Sequence, residues 1–242
     1  VRLGRQPIAF GNQGGWLYNG LEGYDGAQAS YNNGKLSLTT GFGQLNASVF
    51  TDDTDPDGNV ISYGVTCTDM YFAKGAYDFG FAKLGADYVK FQGDTNSTDH
   101  YVAGDELYGI NLNIPVQKFN VFGEYWKNTN AADKYDTAWN AGLSYGKADW
   151  KKAGTWDLSV AYNDVDYNVY FGGGTWHNDM LKNFTAGYLN AYNLTFWTAI
   201  ANVTLQKNVQ LHAEYAFAAD AEKSNNGADP DDSWTVSLNY KF

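Results

Sequence analysis

Every second residue of the last nine is apolar. Trp234, Val236, Leu238, Tyr240 and Phe242 alternate with Thr235, Ser237, Asn239 and Lys241. A strand places successive side chains on opposite faces, so this pattern builds a ribbon with one greasy side and one wet side. The same alternation recurs along the chain. Val209, Leu211, Ala213, Tyr215 and Phe217 oppose Gln210, His212 and Glu214. Trp197, Ala199, Ala201, Val203 and Leu205 oppose Thr198, Asn202 and Thr204. Trp156, Leu158, Val160 and Tyr162 oppose Asp157, Ser159 and Asn163, and Trp139, Ala141, Leu143 and Tyr145 oppose Asn140 and Ser144. Phe119, Val121 and Tyr125 oppose Lys118, Asn120 and Glu124, and Leu36, Leu38 and Phe42 oppose Lys35, Ser37 and Thr39. No window shows a clean helical period, and no apolar run reaches the roughly 18 residues of a spanning helix.

The pattern predicts about twelve strands, near 1–6, 24–31, 35–50, 60–72, 79–92, 100–114, 117–127, 135–146, 154–164, 193–205, 208–219 and 233–242. The connections alternate in length. Short ones fall at 32–34, 73–78, 115–117, 146–153 and 206–208; long ones fall at 7–23, 51–59, 93–99, 128–134, 165–192 and 220–232. Tight turns at one end and long loops at the other are the signature of an antiparallel transmembrane β-barrel. In hydrocarbon every backbone N–H and C=O must be paired inside the protein, which strands achieve by closing on themselves. A soluble β-sandwich also alternates, but its loops need not sort into two length classes. The fold expected is all-β, one barrel domain over 1–242.

Composition agrees. The chain is 44% hydrophobic, yet its mean hydropathy is negative, which alternation produces and a continuous apolar core does not. Aromatic residues, 17% of the chain, recur near strand ends, as in the girdles of lipid-embedded barrels. The net charge of −11 argues against a nucleic-acid partner, and the lone Cys67 against a disulfide scaffold. The charge is also unevenly placed. The long loops with their flanks carry a net −13; the short turns carry a net +5 through Lys35, Lys74, Lys118, Lys147, Lys151, Lys152 and Lys207 against Asp78 and Asp149. An acidic mouth enriches cations.

Two segments carry a resemblance. Leu3-Gly-Arg-Gln-Pro-Ile-Ala-Phe-Gly11 leads into Gly20-Leu-Glu-Gly-Tyr-Asp-Gly-Ala-Gln-Ala-Ser-Tyr31. This pattern resembles the porins of diderm Firmicutes that carry an S-layer-homology domain. The C-terminal Phe242 with Tyr240, Leu238 and Val236 is similar to the last strand of bacterial outer-membrane barrels. The resemblance implies a bacterial outer-membrane location, a homotrimer and a barrel of about sixteen strands, a size that leaves an aqueous channel. It also implies a cell-wall-binding domain and stalk that this chain does not contain. The opening Val1–Gln6 lacks a secretory-signal pattern, so the chain is expected to be a mature protein or the later part of a longer one.

The expected activity is passive diffusion of small hydrophilic solutes, with weak cation preference and no enzymatic step. The polar faces supply the expected pore lining: Arg2, Lys118, Asn120, Glu124, Asn140, Ser144, Asp157, Ser159, Asn163, Asn202, Gln210, His212, Glu214, Asn239 and Lys241. Arg5 shares parity with Val1 and Leu3, so it is expected at an interface, a subunit contact or beyond a register shift. His100, His177 and His212 are scattered, with no metal or nucleophile spacing. Asp53, Asp55 and Asp57, followed by Gly58, match the opening of a calcium loop, but Gly64 stands where the bidentate Glu belongs. The competing reading there is a solvated acidic turn, and no other cofactor is expected. Gly172–Gly174, between Phe171 and Trp176, offers a loop that folds into the lumen or a plain external loop. The rival functions are a structural anchor tying membrane to cell wall and a soluble β-sandwich binding module.

Overall fold

In the computed structural model, residues 1–11, 18–45, 53–54, 60–61, 68–92, 106–130, 135–166, 169, 193–222 and 229–242 are described. Twelve strands form one antiparallel sheet in sequence order: β1 (Arg2–Phe10), β2 (Tyr18–Asn32), β3 (Leu36–Leu45), β6 (Thr68–Asp78), β7 (Lys83–Gln92), β8 (Glu106–Val116), β9 (Phe119–Asn128), β10 (Thr137–Gly146), β11 (Trp156–Asp166), β12 (Asn193–Gln206), β13 (Val209–Glu222) and β14 (Ser233–Tyr240). A separate two-residue ladder joins β4 (Asp53–Thr54) to β5 (Val60–Ile61). Among the described residues no ladder joins β1 to β14.

Turn chemistry sets one end of the sheet. Gly34, at φ +91°, is capped by Asn32 Oδ1, which accepts its N–H at 2.7 Å, and Asn33 Oδ1 accepts Leu36 N at 2.8 Å. Between β12 and β13 the left-handed residue is Asn208, which tolerates positive φ better than most side chains. The turn expected at 73–78 lies elsewhere. Tyr71, Ala73, Gly75 and Tyr77 hold one face of β6 as far as Asp78, and the chain reverses at 79–82, where Phe79 N bonds Ala82 O at 2.8 Å. The small residues of Ala73-Lys74-Gly75-Ala76 mimic a turn but are strand. Lys74 therefore belongs to the strand wall rather than to the rim. The long 7–23 connection is also shorter than expected, since β1 continues to Phe10 and β2 begins at Tyr18. Its strand character is masked in the sequence by Pro7, where the β1–β2 register shifts between Gln6 and Ile8.

Burial runs opposite to that of a soluble protein. Ile110 is 58% exposed and Val121 46%, whereas Glu124 is 5% exposed and Asn140 3%. A soluble β-sandwich would bury the first pair and solvate the second. The exposed apolar residues form a band on the outer face. Aromatic pairs cross it between neighbouring strands: Tyr145 with Phe119 and with Trp156, and Tyr162 with Trp139 and with Trp197, ring centroids 4.8–5.4 Å apart. The inner face is enclosed. One apolar cluster joins Phe10 of β1 to Trp126 of β9, Leu194 and Phe196 of β12 and Ala216 of β13, so the sheet curls around a shared interior.

Candidate functional site

The interior has two tiers. Toward the short turns it is polar. Asn120 Nδ2 donates to Asn113 Oδ1 at 3.2 Å, and Asn239 Nδ2 to Ser237 Oγ at 3.1 Å. On β11–β13 a chain of polar contacts crosses three strands. Asn202 Nδ2 donates to Asp157 Oδ1 at 2.7 Å, Asn202 Oδ1 lies 2.8 Å from His212 Nδ1, and His212 Nε2 lies 3.4 Å from Glu214 Oε1. Toward the long loops the inner face is apolar, with Met70, Phe72, Phe91, Leu107, Trp126, Leu194 and Phe196 buried.

Glycine makes room for the large rings. Inward-facing Gly109 is the register partner of Trp126, Gly41 of Phe72 and Gly142 of Phe122. A Cβ on Gly109 would come within 2.6 Å of the Trp126 ring, and a Cβ on Gly41 within 2.6 Å of Phe72. Each ring lies over the bare backbone of its neighbour, an arrangement that pins strand register.

Where the tiers meet, the end of β1 reaches across the interior. Phe10, fully buried, packs edge-on against Phe72 at 6.0 Å and Trp126 at 6.3 Å between ring centroids. Gly11, at φ +87°, donates its N–H to Asp87 Oδ2 at 3.2 Å. Lys74 Nζ stands 5.3 Å from the Phe10 ring centroid, a cation–π contact. Lys74 and Asp87 are register partners on β6 and β7, and both point inward. Asn111 Nδ2 lies 3.5 Å from Asp87 Oδ2. Glu124 accepts from Asn140 Nδ2 at 2.8 Å and from Trp126 Nε1 at 3.4 Å. Phe72, Lys74, Asp87 and Asn111 wall a cavity of about 390 Å³ that Pro7, Ile8 and Gly11 border on the β1 side.

Of the residues expected to line a lumen, Asn120, Glu124, Asn140, Ser144, Asp157, Ser159, Asn163, Asn202, Gln210, His212, Glu214 and Asn239 sit at inward register positions. Several are bound into the wall rather than free in an opening: Asn163 Nδ2 donates to Thr198 Oγ1 at 3.2 Å, and Gln210 Nε2 to Thr204 Oγ1 at 3.5 Å. Arg2 holds an inward position on β1, at the edge strand, opposite Gln28. Two placements differ from expectation. Lys118 is an exposed turn residue, and Lys241 lies past the end of β14, 4.2 Å over the Trp150 ring; both belong to the rim because their strands end before them. Sequence reasoning missed Phe10, Gly11, Lys74, Asp87 and Trp126. Lys74 was in phase with the inner face, but the misplaced turn hid it.

Asp55 and Asp57 lie outside the described residues, and Asp53 opens the β4–β5 ladder. The segment with Gly172–Gly174, Phe171 and Trp176 also lies outside them, as do Cys67, His100 and His177. Among the described residues no group of three His, Cys, Asp or Glu side chains is placed to hold a metal.

Similarity to solved structures follows this geometry. A porin refined at 1.8 Å resolution matches with a TM-score of 0.50 and 13% identity, over 100% of this chain and 75% of that one. Salmonella typhi OmpF in complex with daunomycin matches at 0.53 and 14%, over 92% and 63%. The fold is an antiparallel transmembrane β-barrel of porin type. Pseudomonas aeruginosa OccK8 (OprE) also aligns, at 0.42 and 10%, over 85% of this chain and 54% of its own. No family model and no curated protein matches. The barrel chain thus spans less than two thirds of the OmpF and OccK8 chains. The likeness accounts for the inverted burial, because a barrel in lipid exposes its apolar face and encloses its polar one.

Proposed function

We propose that this chain is the wall of a diffusion channel for small hydrophilic solutes and ions in a bacterial outer membrane. The observation that carries the reading is the polar inner tier narrowed by Phe10 and Gly11, with Lys74 and Asp87 facing the same cavity. A water-filled passage with opposed charges sorts solutes by size and by their fit to the local field. The acidic loops draw cations toward the mouth, so the channel is weakly cation-selective. Reconstitution in a planar bilayer tests this. Stepwise conductance and a cation-selective reversal potential in a salt gradient are expected; no conductance, or clear anion preference, refutes it.

Among the described residues no ladder joins β1 to β14, and backbone groups in hydrocarbon need partners. The reading therefore includes further strands between β1 and β14. About sixteen strands in all fits the resemblance to S-layer-homology-domain porins and the 75% span of the porin match. A homotrimer belongs to the same reading, with cell-wall attachment through a domain outside this chain.

A second reading is a structural barrel that anchors the membrane to the cell wall. The apolar upper tier favours it, since Phe10, Phe72, Phe91, Trp126 and Phe196 fill part of the interior. Single-channel recording separates the two, because a filled barrel passes no current.

A further inference from the structure

At the short-turn end, three neighbouring segments are knitted into one block. Within the 147–155 connection, Lys151 N donates to Asp149 Oδ1 at 2.9 Å and Lys152 N to Asp149 O at 2.9 Å. Thr155 Oγ1 accepts Asp149 N at 2.9 Å and donates to Lys152 O at 2.7 Å. Gly154 N bonds Thr204 O at 2.8 Å, which fastens the connection to β12. Asn208 N, in the next turn, donates to Trp150 O at 2.7 Å, and Lys241 N donates to Asn208 O at 3.0 Å. Lys241 Nζ then stacks on Trp150.

The block projects Lys147, Lys151, Lys152 and Lys207 into solvent, all exposed, while Asp149 accepts a backbone N–H of its own turn and Asp157, on the inner face, accepts the N–H of Ala148 at 2.9 Å. Its depth is set by its neighbours. Trp156, Leu205 and Tyr240, exposed on the outer face, mark the lower border of the apolar band within a few residues of these lysines. Aromatic residues at that border sit at headgroup level. The lysines therefore lie where lipid phosphates lie.

We propose that this block is a docking surface for anionic phospholipid headgroups of the leaflet at the short-turn end. Positive charge at headgroup depth fits phosphate and excludes a cationic partner. The hydrogen-bonded turns hold the lysine backbones in place before lipid arrives, so little ordering is left for binding to oppose. Near an anionic surface each lysine adds about fivefold in affinity.

The test uses the full chain in neutral detergent, titrated with short-chain phosphatidylglycerol or phosphatidylcholine and read by native mass spectrometry. Phosphatidylglycerol is expected to bind at least about tenfold more tightly, with the difference shrinking as salt rises. The variant K147Q/K151Q/K152Q/K207Q should lose that preference while keeping heat-modifiable gel migration. The milder K151Q/K152Q, altered only on an exposed turn, should lose part of it. K90Q, at the opposite border, should keep it. Equal binding of the two lipids, or phosphatidylglycerol binding unchanged in the fourfold variant, overturns the proposal. So does binding of soluble peptidoglycan fragments in place of the lipid, which assigns the surface to the cell wall.

Discussion

The backbone N–H of Gly11 donates to Asp87 Oδ2 at 3.2 Å, joining the end of β1 to a strand that is not its neighbour in the sheet. This bond, with Phe10 seated between Phe72 and Trp126, holds a strand end across the interior instead of against the wall. At φ +87°, and with Glu124 occupying the space a Cβ would need, Gly11 is the residue type that allows the crossing. G11A should displace the crossing segment, with a backbone cost of about 1 kcal/mol, and raise single-channel conductance. F10A should raise conductance further by removing the ring. Conductance equal to that of the parent in both variants would place the constriction elsewhere.

Lys74 and Asp87 bring opposite charges to one cavity, so their removal should shift selectivity in opposite directions. K74Q leaves the carboxylate dominant and should increase cation preference. D87N should weaken it or turn it toward anions. The reversal potential in a salt gradient reads both, and a shift of the same sign in the two variants contradicts the assignment.

Trp126 is fully buried on the inner face over Gly109. W126A opens a cavity among Phe10, Leu107 and their neighbours and should cost about 3–5 kcal/mol. G109A makes the complementary error, because its methyl group needs the volume the ring fills, and should cost about 1–3 kcal/mol. The temperature at which heat-modifiable migration is lost should fall in both. The double variant should recover part of the G109A loss, and strict additivity would argue against direct packing.

Arg5 faces outward, and its guanidinium grips Asp25 in two bonds, Nε to Oδ1 at 3.1 Å and Nη2 to Oδ2 at 2.9 Å. The pair stands above the apolar residues Val1, Leu3, Ala27, Ala29 and Tyr31, at the border toward the long loops. This answers the parity of Arg5: it is an interface residue with its own counter-ion. Both partners are substantially exposed, so water screens the pair and its worth is about 1 kcal/mol or less. D25A should lower lipid-embedded stability by about that amount, and R5L/D25L should restore it, since apolar side chains suit the band. Unfolding in urea from lipid vesicles measures both, and a larger loss in the double variant than in D25A contradicts the placement.

Much of the barrel was legible because lipid and an enclosed interior impose period two on any strand between them. Trp234 to Phe242 displays it without interruption, and β14 is where that pattern puts it. The outer faces of β8 to β14 follow from the same residues. The interior was less legible. Trp126 and Phe72 occupy inward positions yet are apolar, so alternation reads them as errors when they are packing against facing glycines. Pro7 and the glycines after Phe10 read as loop, although β1 continues through Ile8 to the crossing. The 73–78 segment looked like a turn because Gly and Ala suit both a turn and the small-residue side of a strand.

The sequence by itself determined which faces meet lipid, because solvent preference is a property of each side chain and needs no neighbour to act. It also determined which end is basic and which acidic, since lysines and aspartates sort with the short and long connections. Only the tertiary structure decided what stands inside. Phe10 with Trp126, Gly11 with Asp87 and Trp150 with Lys241 are contacts between positions 76 to 116 residues apart. They arise from how the sheet curls and where each strand ends, and no local pattern encodes that geometry.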